Sequence, residues 1–194
     1  MIKTIEESIL ASIDVKRELL KEPVVIDQIR DIALAVIETY KNGGKVLLCG
    51  NGGSAADAQH IAAELTGRFK IEREPLNAEA LHVNSSYITA ICNDYSFDVA
   101  YARLVKAFGK NGDVLIAIST SGNSKNIINA LEMANEIGMV TVGFTGRSGG
   151  KMKNHCKYIL QVPSDDTPRI QETHILLGHI ICDIVEKTIF KSNE

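Results

Sequence analysis

Lys45-Val46-Leu47-Leu48-Cys49-Gly50-Asn51-Gly52-Gly53-Ser54-Ala55-Ala56-Asp57 is the stretch on which the fold turns. An apolar run short enough for one buried strand passes into closely spaced glycines and then into an alanine-rich helical pattern. Glycine after a strand lets backbone N–H groups turn toward a ligand at close range. The helix that follows points its positive end at the same spot. Working outward, similar short apolar runs recur at 80–83, 114–118, 140–144 and 159–162, with helical patterns between most of them. Five nearly all-apolar strands alternating with helices predict an α/β three-layer sandwich around a five-stranded parallel sheet.

Two helical patterns precede the sheet. Ile2, Ile5, Ile9, Ile13 and Leu20 form one stripe, and Glu22-Pro23 breaks it. Val25, Ile29, Ile32, Ala33, Val36, Ile37 and Tyr40 form a second, which Asn42-Gly43-Gly44 ends as a C-cap and turn. These stripes either cover the sheet or pack against another subunit, and the pattern does not separate the two. The final helical pattern spans 169–190. No repeat or linker interrupts the chain, so one domain is expected over 1–194, with a helical pair at 1–41 and the sandwich at 42–194.

Composition excludes several classes of function. The 194 residues carry a net charge of −3, with no Trp and 5% aromatics. That balance speaks against broad nucleic-acid or anionic-membrane binding and against a base-stacking surface. The charged N-terminal stretch has no apolar core of a signal peptide, and no run is long enough to span a bilayer. Cys49, Cys92, Cys156 and Cys182 are too far apart in sequence for a C-x-x-C pair. They read as reduced, buried thiols of a cytoplasmic protein.

The chemistry gathers at strand ends. Gly50-x-Gly52-x-x-Ala55 fits the loose dinucleotide fingerprint, yet the second strand pattern ends in Val83-Asn84-Ser85-Ser86 without the ribose-binding acid. No nucleotide cofactor is therefore expected. The third strand runs into Ser119-Thr120-Ser121-Gly122-Asn123-Ser124. One of these hydroxyls serves as a helix cap; so many at a strand-to-helix turn point to a phosphate site. Thr145-Gly146-Arg147-Ser148-Gly149-Gly150 reads as a turn.

His60 and Glu64 stand at i, i+4 on the helix after the glycine loop and share a face. Gln171 and His179 lie two turns apart on the last helix. A carboxylate and an imidazole flanking a sugar suit proton transfer between adjacent carbons or oxygens. The same His60, Glu64, Gln171 and His179 also form a donor set for zinc, with Gln an uncommon member. Spacing leaves both readings open.

The blocks 49–54, His60…Glu64-Leu65-Thr66-Gly67-Arg68, Asn93-Asp94, 118–124, 149–152 and Arg169-Ile170-Gln171-Glu172…His179 resemble, in order and separation, the phosphoheptose isomerases of the sugar isomerase (SIS) fold. The resemblance covers nearly the whole chain. It implies conversion of sedoheptulose 7-phosphate to D-glycero-D-manno-heptose 7-phosphate through an enediol, feeding surface heptoses such as those of lipopolysaccharide or capsule. Glu64 would be the base and His179 its acid–base partner. Ser119, Thr120, Ser121 and Ser124 would hold the phosphate. Asn51, Gly52, Gly53, Ser54, Asn93, Asp94 and Gln171 would meet the sugar. It further implies a homotetramer with active sites at subunit interfaces, and one zinc per subunit on His60, Glu64, Gln171 and His179. A non-catalytic relative of the same fold binds a replication initiator and lacks the glutamate and histidine that Glu64 and His179 match. Thr167-Pro168 replaces an acidic residue that some isomerases carry there, a difference that bears on which sugar fits.

Overall fold

The computed structural model describes residues 1–190. Its elements run α1 (Ile2–Leu20), α2 (Pro23–Lys41), β1 (Val46–Gly50), α3 (Gly53–Thr66), β2 (Ala78–Ala80), α4 (Ser85–Asp94), α5 (Ala100–Phe108), β3 (Val114–Ile118), α6 (Lys125–Ile137), β4 (Val140–Thr145), β5 (Tyr158–Gln161) and α7 (Thr167–Phe190). The strands form one parallel sheet in the order β2-β1-β3-β4-β5.

Alternation along each strand divides the core. Val46, Leu48, Val114, Ile116, Ile118, Val142 and Phe144 face α2, α3 and α7. Leu47, Cys49, Leu115 and Ala117 face α5 and α6. A strand buried on both faces must be apolar at odd and even positions alike, so β1 and β3 read as continuous runs. The expected three-layer sandwich is the observed one.

Two boundaries differ from the sequence reading by two residues or more, whereas β1, β4 and β5 depart from it by a single residue. The second strand is Ala78–Ala80, not 80–83. It is an edge strand, so Glu79 stays exposed between buried Ala78 and Ala80, and this alternation hides it from a search for apolar runs. Its ladder to β1 closes with the Leu81 N–H donating to the Leu48 carbonyl, after which the chain turns and Val83 is exposed. The last helix starts at Thr167, not 169, with Pro168 tolerated in its first turn.

The two N-terminal stripes have different fates. α2 buries Ile29, Ile32, Ala33, Val36 and Ile37 on the sheet and α7. α1 buries only Leu19. Its Ile2, Ile5, Ile9, Leu10 and Ile13 remain exposed, at 74, 55, 55, 54 and 39%. The helix is held to α7 by polar contacts: Ser12 Oγ donates to Glu172 at 2.7 Å, and Arg169 donates to the Ser8 carbonyl at 2.7 Å. No described helix is long and apolar enough to cross a membrane.

His174 on α7 is fully buried, with Nε2 3.2 Å from the Thr145 carbonyl. Burial pushes its pKa down to about 4 from the ordinary 6.5, the Thr145 bond opposing. The folded state therefore binds fewer protons than the unfolded chain between those values. The stabilising effect of neutral His174 is fully present above pH 6.5 and is lost as pH falls toward 4, amounting to about 3 kcal/mol. Denaturant midpoints of the wild type and His174→Asn should diverge at neutral pH and converge over this window. A gap between them that is independent of pH would contradict the assignment.

Candidate active site

β1 and β3 are hydrogen-bonded neighbours whose last residues, Gly50 and Ile118, stand opposite each other. The loops that follow therefore emerge side by side at the carboxyl end of the sheet, where open parallel sheets bind ligands. Gly52 adopts φ +55° and caps α3. At Gly53 a Cβ would lie 2.5 Å from the Gln171 amide nitrogen, so any side chain there would push the Gln171 tip aside. The glycine at 53 thus lets Gln171 of α7 reach the loop. Ser54 is buried in the first turn of α3.

The two loops are cross-tied. Asn51 and Asn126 exchange amide hydrogen bonds in both directions, at 3.0 and 2.9 Å. The Tyr101 hydroxyl donates to the Gly50 carbonyl. Ser124 is the N-cap of α6 but makes no side-chain cap bond; its hydroxyl instead lies 3.1 Å from that of Ser119. Ser119 is buried, while Thr120 and Ser121 line a cavity of about 290 Å³ together with Gly146, Arg147 and Ser148. The 145–150 segment is a turn, as expected, and also a wall of that cavity. The Thr120, Ser121 and Ser148 hydroxyls and the Arg147 guanidinium suit a phosphate, although the lining also includes Asp165, and Ser119 and Ser124 lie outside it.

α3 and α7 bring the acid–base groups together. A Cβ at Gly178 would stand 2.5 Å from Ile61 Cδ1, so glycine at this position allows the two helices to approach closely. His179 Nε2 consequently lies 3.3 Å from His60 Nε2, which lies 3.0 Å from Glu64 Oε1. All three donor atoms fall within 4.8 Å of one another. The imidazoles meet edge to face, with ring centres 4.9 Å apart. His179 is half-buried and backed by the Phe69 ring at 5.6 Å. Asp57, one turn before His60, has a buried Oδ2 without a hydrogen-bond partner. Burial pushes its carboxyl up to about 6, with His60 opposing.

Not every expected residue joins this assembly. The Asn93 amide donates to Asp94 at 2.9 Å on the exposed end of α4, and neither side chain is tied to the loops or the histidines. All four cysteines are unpaired, but Cys92 and Cys156 are half-buried where full burial was expected. A larger cleft of about 890 Å³ along β2 contains none of the expected site residues. Sequence reading missed Asn126, Tyr101 and Phe69. Only Asn126, a polar residue opening an apolar helix pattern, left a signal.

The SIS domain family model matches residues 13–146. The chain is 58% identical over 186 residues to the phosphoheptose isomerase of Clostridium acetobutylicum, covering 96% of this chain and 95% of that protein. It is 51% identical over 188 residues to that of Aneurinibacillus thermoaerophilus, covering 97 and 95%. Among solved structures, phosphoheptose isomerase GmhA from Neisseria gonorrhoeae superposes with a TM-score of 0.90 at 44% identity, covering 95% of this chain and 98% of that one. Likeness at this identity along nearly the full length of both partners shows that the chain belongs to the SIS-domain family and, within it, to the phosphoheptose isomerases.

Proposed function

We propose that Glu64 and His179 move the protons in conversion of sedoheptulose 7-phosphate to D-glycero-D-manno-heptose 7-phosphate. The observation that carries this reading is the Glu64–His60–His179 cluster beside the glycine and serine loops. Ser119, Thr120, Ser121 and Ser124 hold the phosphate at the α6 N-terminus, which anchors the sugar so that its first two carbons reach the cluster. Asn51, Gly52, Gly53, Ser54 and Gln171 meet the sugar hydroxyls, and Asn93 and Asp94, which stand apart from these loops within one subunit, meet them across a subunit interface. Glu64 takes a proton from carbon 1 of the ketose, and the carbonyl oxygen at carbon 2 gains one, giving the enediol. Glu64 returns its proton to carbon 2 as the oxygen on carbon 1 gives one up, leaving the aldose. His179 serves the two oxygens, so no net proton is gained or lost.

The cluster also fits zinc. Tetrahedral zinc with bonds of about 2.0–2.1 Å places neighbouring donor atoms about 3.3 Å apart, and the observed separations are 3.0 and 3.3 Å. His60, Glu64 and His179 would hold the ion, and Gln171 would complete the set. A bound zinc would polarise the sugar carbonyl and so take over, with His179 as its ligand, the part that the His179 imidazole plays at the oxygens when no metal is held. Glu64 has two carboxylate oxygens, so one turned toward His60 leaves the other for proton transfer.

The exposed α1 stripe supports a homotetramer with sites shared between subunits, because contiguous exposed apolar surface marks an interface. Ile5→Glu/Ile9→Glu should shift the protein to smaller species in sedimentation, whereas the wild type stays assembled; a variant that sediments like the wild type would remove α1 from the interface. A phosphorylated sugar substrate and four unpaired thiols support a cytoplasmic setting. The product suits assembly of surface heptoses, in lipopolysaccharide or capsule. Incubating the purified chain with sedoheptulose 7-phosphate and resolving the sugars by NMR tests the activity: appearance of the aldose 7-phosphate is expected, and an unchanged ketose would contradict it.

A further inference from the structure

A buried ion pair sits between the segment after α3 and the last helix. Arg73 Nε and Glu186 Oε2 are 2.9 Å apart, and their side chains are 1 and 2% exposed. Glu186 accepts the backbone N–H groups of Phe69, Lys70 and Ile71 at 2.9, 2.8 and 3.1 Å. Arg73 donates to the backbone carbonyls of Glu64, Leu65, Gly67 and Glu74 at 2.8, 2.9, 3.3 and 3.0 Å. The Glu64 and Leu65 carbonyls belong to the last turn of α3, which has no intrahelical donors left for them. Removing two charges from water makes such a pair a poor source of stability. Its hydrogen bonds, however, lead to both halves of the acid–base cluster. One arm ends on the backbone of Glu64 itself. The other fixes Phe69, whose ring lies against His179.

We propose that Arg73 and Glu186 are positioning residues for the isomerase site. The pair is a clamp that holds the Glu64 end of α3 and, through Phe69, the His179 ring of α7, setting the base and its partner at a fixed separation. Arginine suits this task because its planar fork reaches several carbonyls and a carboxylate at once, which a lysine ammonium does not. The clamp rests on the assignment of Glu64 and His179 as the proton-transfer pair.

Two variants test it. Arg73→Lys keeps the buried positive charge but loses the fork. Phe69→Leu leaves the ion pair intact and removes the ring behind His179; it needs no change to a buried charge, so it stays informative if Arg73→Lys does not fold. Each is compared with the wild type by thermal unfolding, KM, kcat and the pH profile of kcat. In folded protein, kcat should fall about tenfold while KM for sedoheptulose 7-phosphate stays within about threefold, because misplacement acts on the reacting groups and not on the phosphate anchor. The pH profile should shift with it. A purely structural role would lower the melting temperature and leave kcat, KM and the profile of the folded protein as they were. Phe69→Leu, or folded Arg73→Lys, with kcat within about twofold of the wild type overturns the clamp. A wild type that does not isomerise the sugar defeats the functional reading itself, whereas an active wild type with indifferent variants defeats the clamp alone.

Discussion

Glu64→Gln should lower turnover by about 10²–10⁴-fold and leave sedoheptulose 7-phosphate binding close to that of the wild type. The amide keeps the size of the carboxylate and still reaches His60, 3.0 Å away in the wild type. It has no basicity with which to take a proton from carbon. Loss of a positioned general base lowers kcat by about 10²–10⁴-fold. In the proposed reading the serine-loop hydroxyls set the affinity, so calorimetric titration should give a dissociation constant close to the wild-type value. Undiminished turnover in the variant would falsify the role of Glu64. Weakened binding together with retained turnover of the bound sugar would make Glu64 a substrate contact and not the base.

The sheet and the two ligand loops could be read from the sequence because their signals are local. A strand buried on both faces is apolar throughout, and a loop that approaches phosphate is glycine- or serine-rich. β1, β3 and β4 were visible on this ground. β2 was misplaced because an edge strand needs only one well-buried face and shows Glu79 to solvent. The fate of the two N-terminal stripes depends on what lies opposite them, which periodicity does not encode: α2 meets the sheet, and α1 is left open. The histidine–glutamate cluster is intermediate. His60 and Glu64 share a helix, so their proximity follows from i, i+4 geometry. Their encounter with His179, 119 positions from His60, depends on helix packing at Gly178. Arg73 lies in the charged stretch Lys70-Ile71-Glu72-Arg73-Glu74, whose composition suggests a solvated loop. Only the fold puts its guanidinium under cover beside Glu186.

Gly178→Ala carries the second large effect. The added methyl would meet Ile61 Cδ1 at 2.5 Å and Cγ1 at 2.7 Å. Ile61 is 1% exposed and packed among core residues, so it cannot swing away without displacing its neighbours. The helices must part or slide. Overpacking of this kind costs about 1–3 kcal/mol, offset by about 1 kcal/mol of improved helix propensity. Stability therefore drops only modestly, and the protein remains folded. Activity responds more steeply, since His179 is the next residue and moves with the backbone. A displacement of about 1 Å between reacting groups lowers rate by about 10²-fold. Steady-state kinetics should show this in kcat, with a small change in melting temperature. A variant with wild-type kcat would mean that close α3–α7 approach is not what sets the His60–His179 distance.

Proton transfer through an enediol is the centre of this account, and deuterium reports on it directly. Sedoheptulose 7-phosphate is incubated with the wild-type enzyme in D₂O and the sugars are followed by NMR. Solvent exchange at the base while the enediol is bound places deuterium at carbon 2 of the aldose and, through the reverse reaction, at carbon 1 of the ketose. That is the expected result, and Glu64→Gln should suppress both signals. Sugar that binds but stays unchanged, with no deuterium at either carbon, would contradict the account.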